Sequence, residues 1–311
     1  MEIVDIAIIG AGPAGLAAGL YASRARAKTV VLEAGLPGGQ IVTTDWIENY
    51  PGLPEGMPGT QLAEYMQRQA ESFGADIRTF GAVEAIEPRG DDFVLTVDGE
   101  PLGAKTVILA TGAVPKRLSV PGEAEYTGRG VSWWAVCDGP LYREKTVAIV
   151  GGGDAAIEEA IFLARFVDRV HVIHRRDELR ATKCIAERGL DNDKITFEWS
   201  RTVTEIQGDG TKVSAVVLAS TKGEPEKLLP VQGVFIYVGI DAKTDLVKDI
   251  CDLDERGFVI VDTANMTSLP GLFAAGDVTN DTLKQVVTAA AQGATAAFNA
   301  FSHAEPRTCM L

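Results

Sequence analysis

The sequence predicts an α/β fold in which one unit, a strand followed by a glycine turn and a helix, occurs twice. The first unit spans residues 3–20, where an apolar run leads into G-x-G-x-x-G at Gly10 and then into an alanine-rich segment. The second begins with the apolar run 146–150 and continues into G-x-G-x-x-A at Gly151. This order of elements is typical of Rossmann-like domains that bind dinucleotides.

The three glycines of the first unit each have a separate role in such a loop. Gly10 permits the tight turn, Gly12 lets a pyrophosphate approach the backbone, and Gly15 lets the helix pack on the strand. Glu33 ends a second apolar run, at the position where a carboxylate meets an adenosine ribose. A glycine turn alone occurs in many α/β proteins, but Glu33 at this spacing favours a bound dinucleotide.

The second unit has basic residues where the first has Glu33. His174, Arg175 and Arg176 follow the strand 170–173, and Arg180 lies one turn further on. Guanidinium groups match the oxygens of a 2′-phosphate, whereas a carboxylate suits a ribose diol. The pattern therefore favours NADPH over NADH, the alternative being a solvated run of charge.

Several further segments have a predictable structure. We expect an irregular loop between Glu33 and Gly52, which is either functional or a surface excursion. An amphipathic helix is predicted at 60–73, with Leu62, Tyr65, Met66 and Phe73 on one face. A buried strand is predicted at 106–110, followed by Thr111-Gly112, and a further strand at 257–261. A small-residue helix should begin near Leu283, and the tail 302–311 should be mobile.

Composition excludes several classes of protein. The 311 residues are 46% hydrophobic and 23% charged, which is ordinary for a globular protein. A net charge of −14 disfavours nucleic acid and anionic membranes as partners. No run is long enough to span a membrane, and the first apolar run lacks the basic leader of a signal peptide, so we expect the cytoplasm. The four cysteines have no zinc-ligand spacing, so no metal site is expected.

Seven motifs together resemble the low-molecular-weight, bacterial-type thioredoxin reductases over essentially the whole chain. They are GAGPAG, PGGQ, ENYPG, ATGAVP, GGGDAAIEEA, HRRDELRA and LFAAGD, in that order. The resemblance implies two Rossmann-like domains of the FAD/NAD(P) disulfide oxidoreductase type, the second inserted into the first. The FAD-binding domain would comprise 1–114 and 242–311, the NADPH-binding domain would comprise 115–241, and the protein would be a homodimer.

The resemblance also implies two sets of cofactor-binding residues. Within the first set, Asp277 would bind the ribitol of FAD, and Gln285 and Val286 would approach the flavin ring. The complete FAD set is Gly10, Gly12, Ala14, Gly15, Glu33, Gly39, Gln40, Asn49, Val83, Thr111, Gly112, Gly276, Asp277, Lys284, Gln285 and Val286. The NADPH set is Gly151, Gly153, Asp154, Ala155, His174, Arg175, Arg176 and Arg180.

One departure from the family changes the expected chemistry. The family carries C-x-x-C followed by Asp, whereas this chain reads VSWWAVCDG from residue 131 to 139. Trp134 therefore stands in place of the first cysteine, while Cys137 and Asp138 match the flavin-proximal thiol and the proton-transferring acid. Exchange within a C-x-x-C pair needs one thiol to attack and a second to resolve, so that cycle cannot run here.

Three interpretations of this departure stay open. In the first, NADPH reduces FAD and the electrons pass through Cys137 to a thiol or disulfide acceptor, small or thioredoxin-like, with Cys309 as a possible resolving thiol. In the second, the protein resembles the thioredoxin-reductase-like ferredoxin-NADP reductases, which need no cysteine. In the third, it is a non-catalytic FAD-binding sensor, against which the NADPH motif speaks.

Overall fold

The computed structural model describes residues 1–44, 47 and 49–305, without the side chains of Thr43, Val136 and Cys137. Over these ranges the chain forms two compact units. The first comprises residues 1–114 and the described chain from Asp241 onward, and the second comprises Pro115–Ile240. The second unit is therefore an insertion in the sequence of the first.

The first unit begins with a strand whose second half is buried on both faces, because Ile6, Ala7 and Ile8 have no exposed surface. Apolar residues on both faces are typical of a strand inside a parallel sheet. Two helices follow, α1 (Pro13–Arg24) and α2 (Gly59–Ser72). The strands up to residue 115 are β1 (Glu2–Ile9), β2 (Thr29–Glu33), β3 (Asp76–Thr79), β4 (Val83–Arg89), β5 (Asp92–Val97), β6 (Glu100–Leu109) and β7 (Ala113–Pro115).

The second unit repeats this plan around a parallel sheet and adds a smaller antiparallel one. Its helices are α3 (Ala135–Asp138), α4 (Asp154–Leu163) and α5 (Lys183–Leu190). Its parallel strands lie in the order β11-β10-β9-β15-β8, and β12, β13 and β14 form the antiparallel sheet. The bounds are β8 (Val131–Ser132), β9 (Thr146–Val150), β10 (Arg169–His174), β11 (Ile195–Trp199), β12 (Arg201–Gly208), β13 (Val213–Ser220), β14 (Lys227–Pro230) and β15 (Gly233–Ile236).

The last segment completes the first unit. It contains β16 (Ile240–Ala242), which pairs with β7, then β17 (Leu272–Ala274) and α6 (Val286–Ala304). The main sheet runs in the order β3-β2-β1-β6-β5-β4, with β17 also paired to β6. Ile9 pairs with Leu32 and with Leu109, so the carboxyl ends of β1, β2 and β6 meet at one edge. Ligands of such sheets bind at this edge.

Three predicted features differ from the structure. The strand expected at 257–261 is wrong, because only Val259 makes isolated bridges there, to Leu253 and Thr279. On α2 the predicted apolar face is only partly buried, since Tyr65 is 46% exposed and Phe73 is 49% exposed. The helix expected near Leu283 begins at Val286, and the predicted mobile tail lies largely outside the described residues.

Candidate functional site

Two glycines of the first loop are required by the packing of the fold. Gly10 has φ +103°, and a Cβ built on it would collide with the carbonyl oxygen of Ala110, at the end of β6. A Cβ on Gly15 would collide with the carbonyl oxygen of Gly10. These two positions therefore exclude side chains whether or not a ligand is bound.

Gly12 differs from both of them because it has room for a methyl group. The nearest atom to a Cβ built there is Cα of Gly39, at 3.8 Å, which is an ordinary contact distance. Gly12 is also the N-cap of α1 and provides no side chain to cap the helix. Uncapped N–H groups and open space at a helix N-terminus fit a diphosphate. The first glycine loop thus has the geometry that FAD requires.

Glu33 reaches this loop from the end of β2. Its Oε2 accepts a hydrogen bond from the backbone N–H of Ala11 at 2.8 Å, and its Oε1 accepts one from Gly35 at 2.9 Å. The carboxylate therefore lies beside the turn between Gly10 and Gly12. This is the place where the sequence predicted a ribose-binding acid.

Residues from distant parts of the sequence contact one another within the first unit. The side-chain amide of Gln40 donates to the carbonyl oxygen of Ala113, and Thr111 Oγ1 donates to the carbonyl oxygen of Lys243 at 2.7 Å. Asn49 Nδ2 donates to Gln285 Oε1 at 3.0 Å. Asn49 and Gln285, both predicted FAD residues, are thus joined directly. Gln40 and Thr111 each bind the backbone of a residue that was not predicted, Ala113 and Lys243.

Asp277 and Lys284 form a second polar group in this unit. Burial raises the pKa of Asp277, and Lys284 partly opposes that rise. Burial likewise lowers the pKa of Lys284, whose Nζ lies 4.5 Å from the ring centre of Phe258. Burial disfavours the charged form of both groups. A ligand that hydrogen-bonds the carboxyl group of Asp277 would offset part of the cost of burying it.

The remaining predicted FAD residues lie on three elements. A Cβ on Gly276 would meet Cβ of Ala14 at 2.9 Å, so the turn after β17 touches the start of α1. Val286 is the first residue of α6. Val83 begins β4, pairs with Val97 and packs against the core of the sheet.

The second glycine loop has a different neighbour above it, the ring of His174. A Cβ on Gly152 would collide with the imidazole Nδ1, Cε1 and Cγ atoms, whereas a Cβ on Gly153 would find its nearest atom, Nη2 of Arg180, at 4.0 Å. Gly153 is the uncapped N-cap of α4, as Gly12 is for α1. The space for a pyrophosphate is therefore at Gly153.

The segment after β10 folds back onto this loop. The backbone N–H of Arg180 donates to the carbonyl oxygen of Gly152 at 2.7 Å, and that of Thr182 donates to Asp154 Oδ1 at 2.6 Å. Asp154 thus holds the segment in place, and Ala155 follows it on the exposed start of α4. The basic residues of the motif are thereby kept beside the glycine turn.

His174 is 5% exposed, and its Nε2 has no hydrogen-bond partner among the described residues. Burial lowers the pKa of His174, and the charges of Arg180, Arg176 and Arg175 lower it further. Three guanidinium groups therefore surround one buried imidazole, and the guanidinium-bearing residues are exposed. A buried ring nitrogen without a partner among these described positive charges fits the 2′-phosphate of NADPH.

The two predicted catalytic residues lie on the single turn of α3. Trp134 is its N-cap, and the backbone N–H of Asp138 donates to the carbonyl oxygen of Trp134 at 2.9 Å. Burial and the nearby Asp138 carboxylate raise the pKa of Tyr142 to about 12. The side chain of Cys137 and all of Cys309 lie outside the described residues, so their predicted roles stay predictions.

Some residues that hydrogen-bond to the predicted cofactor-binding residues were not found from the sequence. Gln292 Oε1 accepts a hydrogen bond from the backbone N–H of Gly276 at 2.7 Å, and Thr182 and Lys243 support the loops described above. A single glutamine within the alanine-rich α6 is a signal that could have been used, because an amide in such a helix needs a partner. Thr182 and Lys243 have no comparable signal.

The fold and its two glycine loops define a class of protein, the two-dinucleotide oxidoreductases. The family model for pyridine nucleotide-disulphide oxidoreductases matches residues 4–293. This chain belongs to that family.

Proteins of known activity resemble the chain over nearly its whole length. A thioredoxin reductase of Listeria innocua is 44% identical over 305 residues, which cover 98% of this chain and 95% of the relative. One of Helicobacter pylori is 44% identical over 310 residues, covering 97% and 99%. The crystal structure of thioredoxin reductase from Streptococcus pyogenes gives a TM-score of 0.82 at 44% identity, covering 98% of this chain and 99% of that one.

These findings establish the type of activity. The protein is an NADPH-dependent, FAD-containing disulfide oxidoreductase of the thioredoxin reductase type. No helix in the described ranges has the length and apolar character needed to cross a membrane. The same ranges contain no group of three or more metal-ligating side chains.

Proposed function

We propose that the enzyme passes electrons from NADPH to a small disulfide through Cys137 acting as a lone thiol. The observation that carries this proposal is the α3 turn, where Trp134 is the N-cap and Cys137 and Asp138 follow. Cys137 and Asp138 are consecutive residues at the end of this turn. Because tryptophan cannot form a disulfide with Cys137, the second sulfur of the disulfide that is reduced would come from the acceptor.

The proposal assigns the two cofactors to separate units. The discontinuous unit, 1–114 and 242–311, would bind FAD, and the open space at Gly12 and the Glu33 carboxylate support this assignment. The inserted unit, 115–241, would bind NADPH, supported by the uncapped Gly153 and the orphaned nitrogen of His174. Bound FAD would accept a hydride from NADPH and would donate two electrons to sulfur.

The residues of this chain would then act in two sulfur steps. The Cys137 thiolate attacks one sulfur of a disulfide RSSR, forming Cys137–S–S–R and releasing RS⁻. Two electrons and two protons cleave this mixed disulfide, which releases RSH and restores the Cys137 thiol. Asp138 would hold or deliver the protons. The overall reaction is NADPH + H⁺ + RSSR → NADP⁺ + 2 RSH.

Trp134 also supports a second candidate, a flavin reductase that needs no cysteine and donates electrons to a ferredoxin-like protein. In that case Cys137 would be an inert thiol, the usual state of a solitary cysteine. Since the relatives are named thioredoxin reductases, thioredoxin itself is a third acceptor to test. We place the enzyme in the cytoplasm, and we expect a homodimer because the family resemblance implies one.

Anaerobic reoxidation separates these candidates. The holoenzyme is reduced with NADPH until the flavin bleaches, and then a small disulfide, thioredoxin and ferredoxin are added separately. We expect the small disulfide to reoxidise the flavin in the wild type and to fail in Cys137→Ser. Equal reoxidation of both proteins by ferredoxin would establish the cysteine-independent candidate instead.

A further inference from the structure

One tyrosine of the inserted unit contacts both the second glycine loop and the turn that carries Cys137. Tyr237 follows β15, and its backbone N–H donates to the carbonyl oxygen of Val150 at 2.8 Å. Its own carbonyl oxygen lies so close to Gly151 that a Cβ there would meet it at 2.5 Å. The backbone of Tyr237 is therefore fixed at the glycine turn.

The side chain of the same residue reaches the first turn of α3. Tyr237 Oη accepts a hydrogen bond at 2.9 Å from the backbone N–H of Ala135, the first residue of that turn. Ala135 has no exposed surface, so water cannot satisfy this N–H group. A buried N–H group without a partner is costly, and the tyrosine hydroxyl removes that cost.

The start of α3 has no cap from its own N-cap residue, Trp134. The backbone N–H of Trp134 instead donates to Ser132 Oγ at 3.0 Å, and Ser132 is 6% exposed. The hydroxyl groups of Ser132 and Tyr237 thus accept hydrogen bonds from the backbone N–H groups at the start of α3, a helix of only one turn. A turn this short has little stability of its own, so these tertiary contacts decide where it lies.

We propose that Tyr237 is a positioning residue for the sulfur chemistry. Its hydroxyl fixes the turn bearing Cys137 and Asp138 at a set distance from the nucleotide loop at Gly151. The inference rests on the proposed function, since it assumes that electrons leave through Cys137. A phenylalanine would fill the same space as the ring but would leave the N–H of Ala135 without a partner.

The test compares Tyr237→Phe with Tyr126→Phe in the holoenzyme. Tyr126 is a matched control because it is 6% exposed, lies in the core of the same unit and bonds to Glu125 through its hydroxyl. In Tyr237→Phe we expect flavin reduction by NADPH to stay within about twofold of the wild type, while reoxidation by a small aromatic disulfide slows about tenfold. Tyr126→Phe should change neither rate. Equal slowing of both half-reactions, or no slowing, overturns the inference.

Hydrogen exchange distinguishes failure of this inference from failure of the proposed function. If wild-type protein reduces no disulfide, the proposed function fails, and the amide exchange of peptides spanning 131–142 then decides the role of Tyr237. Faster exchange in Tyr237→Phe alone, with unchanged affinity for NADP⁺, supports a positioning role. Exchange equal to that of wild type, or a loss of NADP⁺ affinity as well, overturns it.

Discussion

Substitution of Gly12 by alanine separates a glycine required by the fold from one required by the cofactor. A Cβ at Gly12 has its nearest neighbour, Gly39 Cα, at 3.8 Å, and the backbone there, with φ −73° and ψ −176°, suits alanine. The FAD-free protein should therefore tolerate the change. If a pyrophosphate lies against Gly12, the added methyl group occupies the space that the phosphate needs.

The geometry at Gly12 allows two quantities to be estimated, the change in stability of the FAD-free protein and the change in FAD affinity. Replacing glycine by alanine at a compatible backbone position stabilises a fold by about 0.4–1 kcal/mol, so the free energy of unfolding of the FAD-free protein should stay level or rise. Overpacking against a bound group costs about 1–3 kcal/mol. Since about 1.4 kcal/mol is tenfold in affinity, the Kd for FAD should rise by about 5- to 150-fold.

Two further variants bracket the result. Gly15→Ala places a methyl group on the carbonyl oxygen of Gly10 and should destabilise the FAD-free protein itself. Gly81→Ala, where the nearest atom is Val97 Cγ1 at 3.6 Å, should keep or slightly raise stability, as Gly12→Ala does, but should leave FAD affinity unchanged. Urea unfolding and quenching of flavin fluorescence measure the two quantities. Wild-type FAD affinity in Gly12→Ala would refute the assignment of the pyrophosphate site to Gly12.

Three further predictions concern the inserted unit. Burial raises the pKa of Glu159 from 4.5 to about 7, so its folded form keeps a proton that the unfolded chain loses, and stability falls as pH rises through this window. Glu159→Gln should therefore raise the free energy of unfolding by up to about 3 kcal/mol at pH 8 and by almost nothing at pH 4 in urea titrations. The control is the exposed Glu226→Gln, which should show no such pH dependence. Arg176→Ala should raise KM for NADPH about tenfold while leaving kcat/KM for NADH within about twofold, and equal changes for both nucleotides would contradict a 2′-phosphate contact. Trp134→Cys restores a second thiol three residues before Cys137 and should increase thioredoxin reduction in a coupled NADPH assay, and an unchanged rate would show that the missing thiol is not what limits it.

Local patterns made the nucleotide loops predictable from the sequence. The elements at Gly10 and Gly151 are contiguous, and each glycine type follows from the backbone geometry of one turn. The carboxylate of Glu33 and the basic residue His174 are also fixed by their place at a strand end. These positions depend on few contacts from outside the motif.

Features that depend on distant residues were not predictable in this way. The turn of α3 is only four residues long, and its first N–H group is satisfied by Tyr237, about a hundred residues further along the chain. The predicted strand at 257–261 has the right apolar pattern, but only Val259 finds bridging partners. Tyr65 and Phe73 follow a helical period but face solvent, because periodicity does not say what covers a helix.

Anaerobic titration with NADPH tests the central claim most directly, since it counts the electrons that the purified holoenzyme accepts. An enzyme whose only redox sulfur is Cys137 has no internal disulfide to reduce, so flavin bleaching should be complete at about one NADPH per FAD. An end-point near two NADPH per FAD would show a second redox pair in the chain and contradict the lone-thiol account.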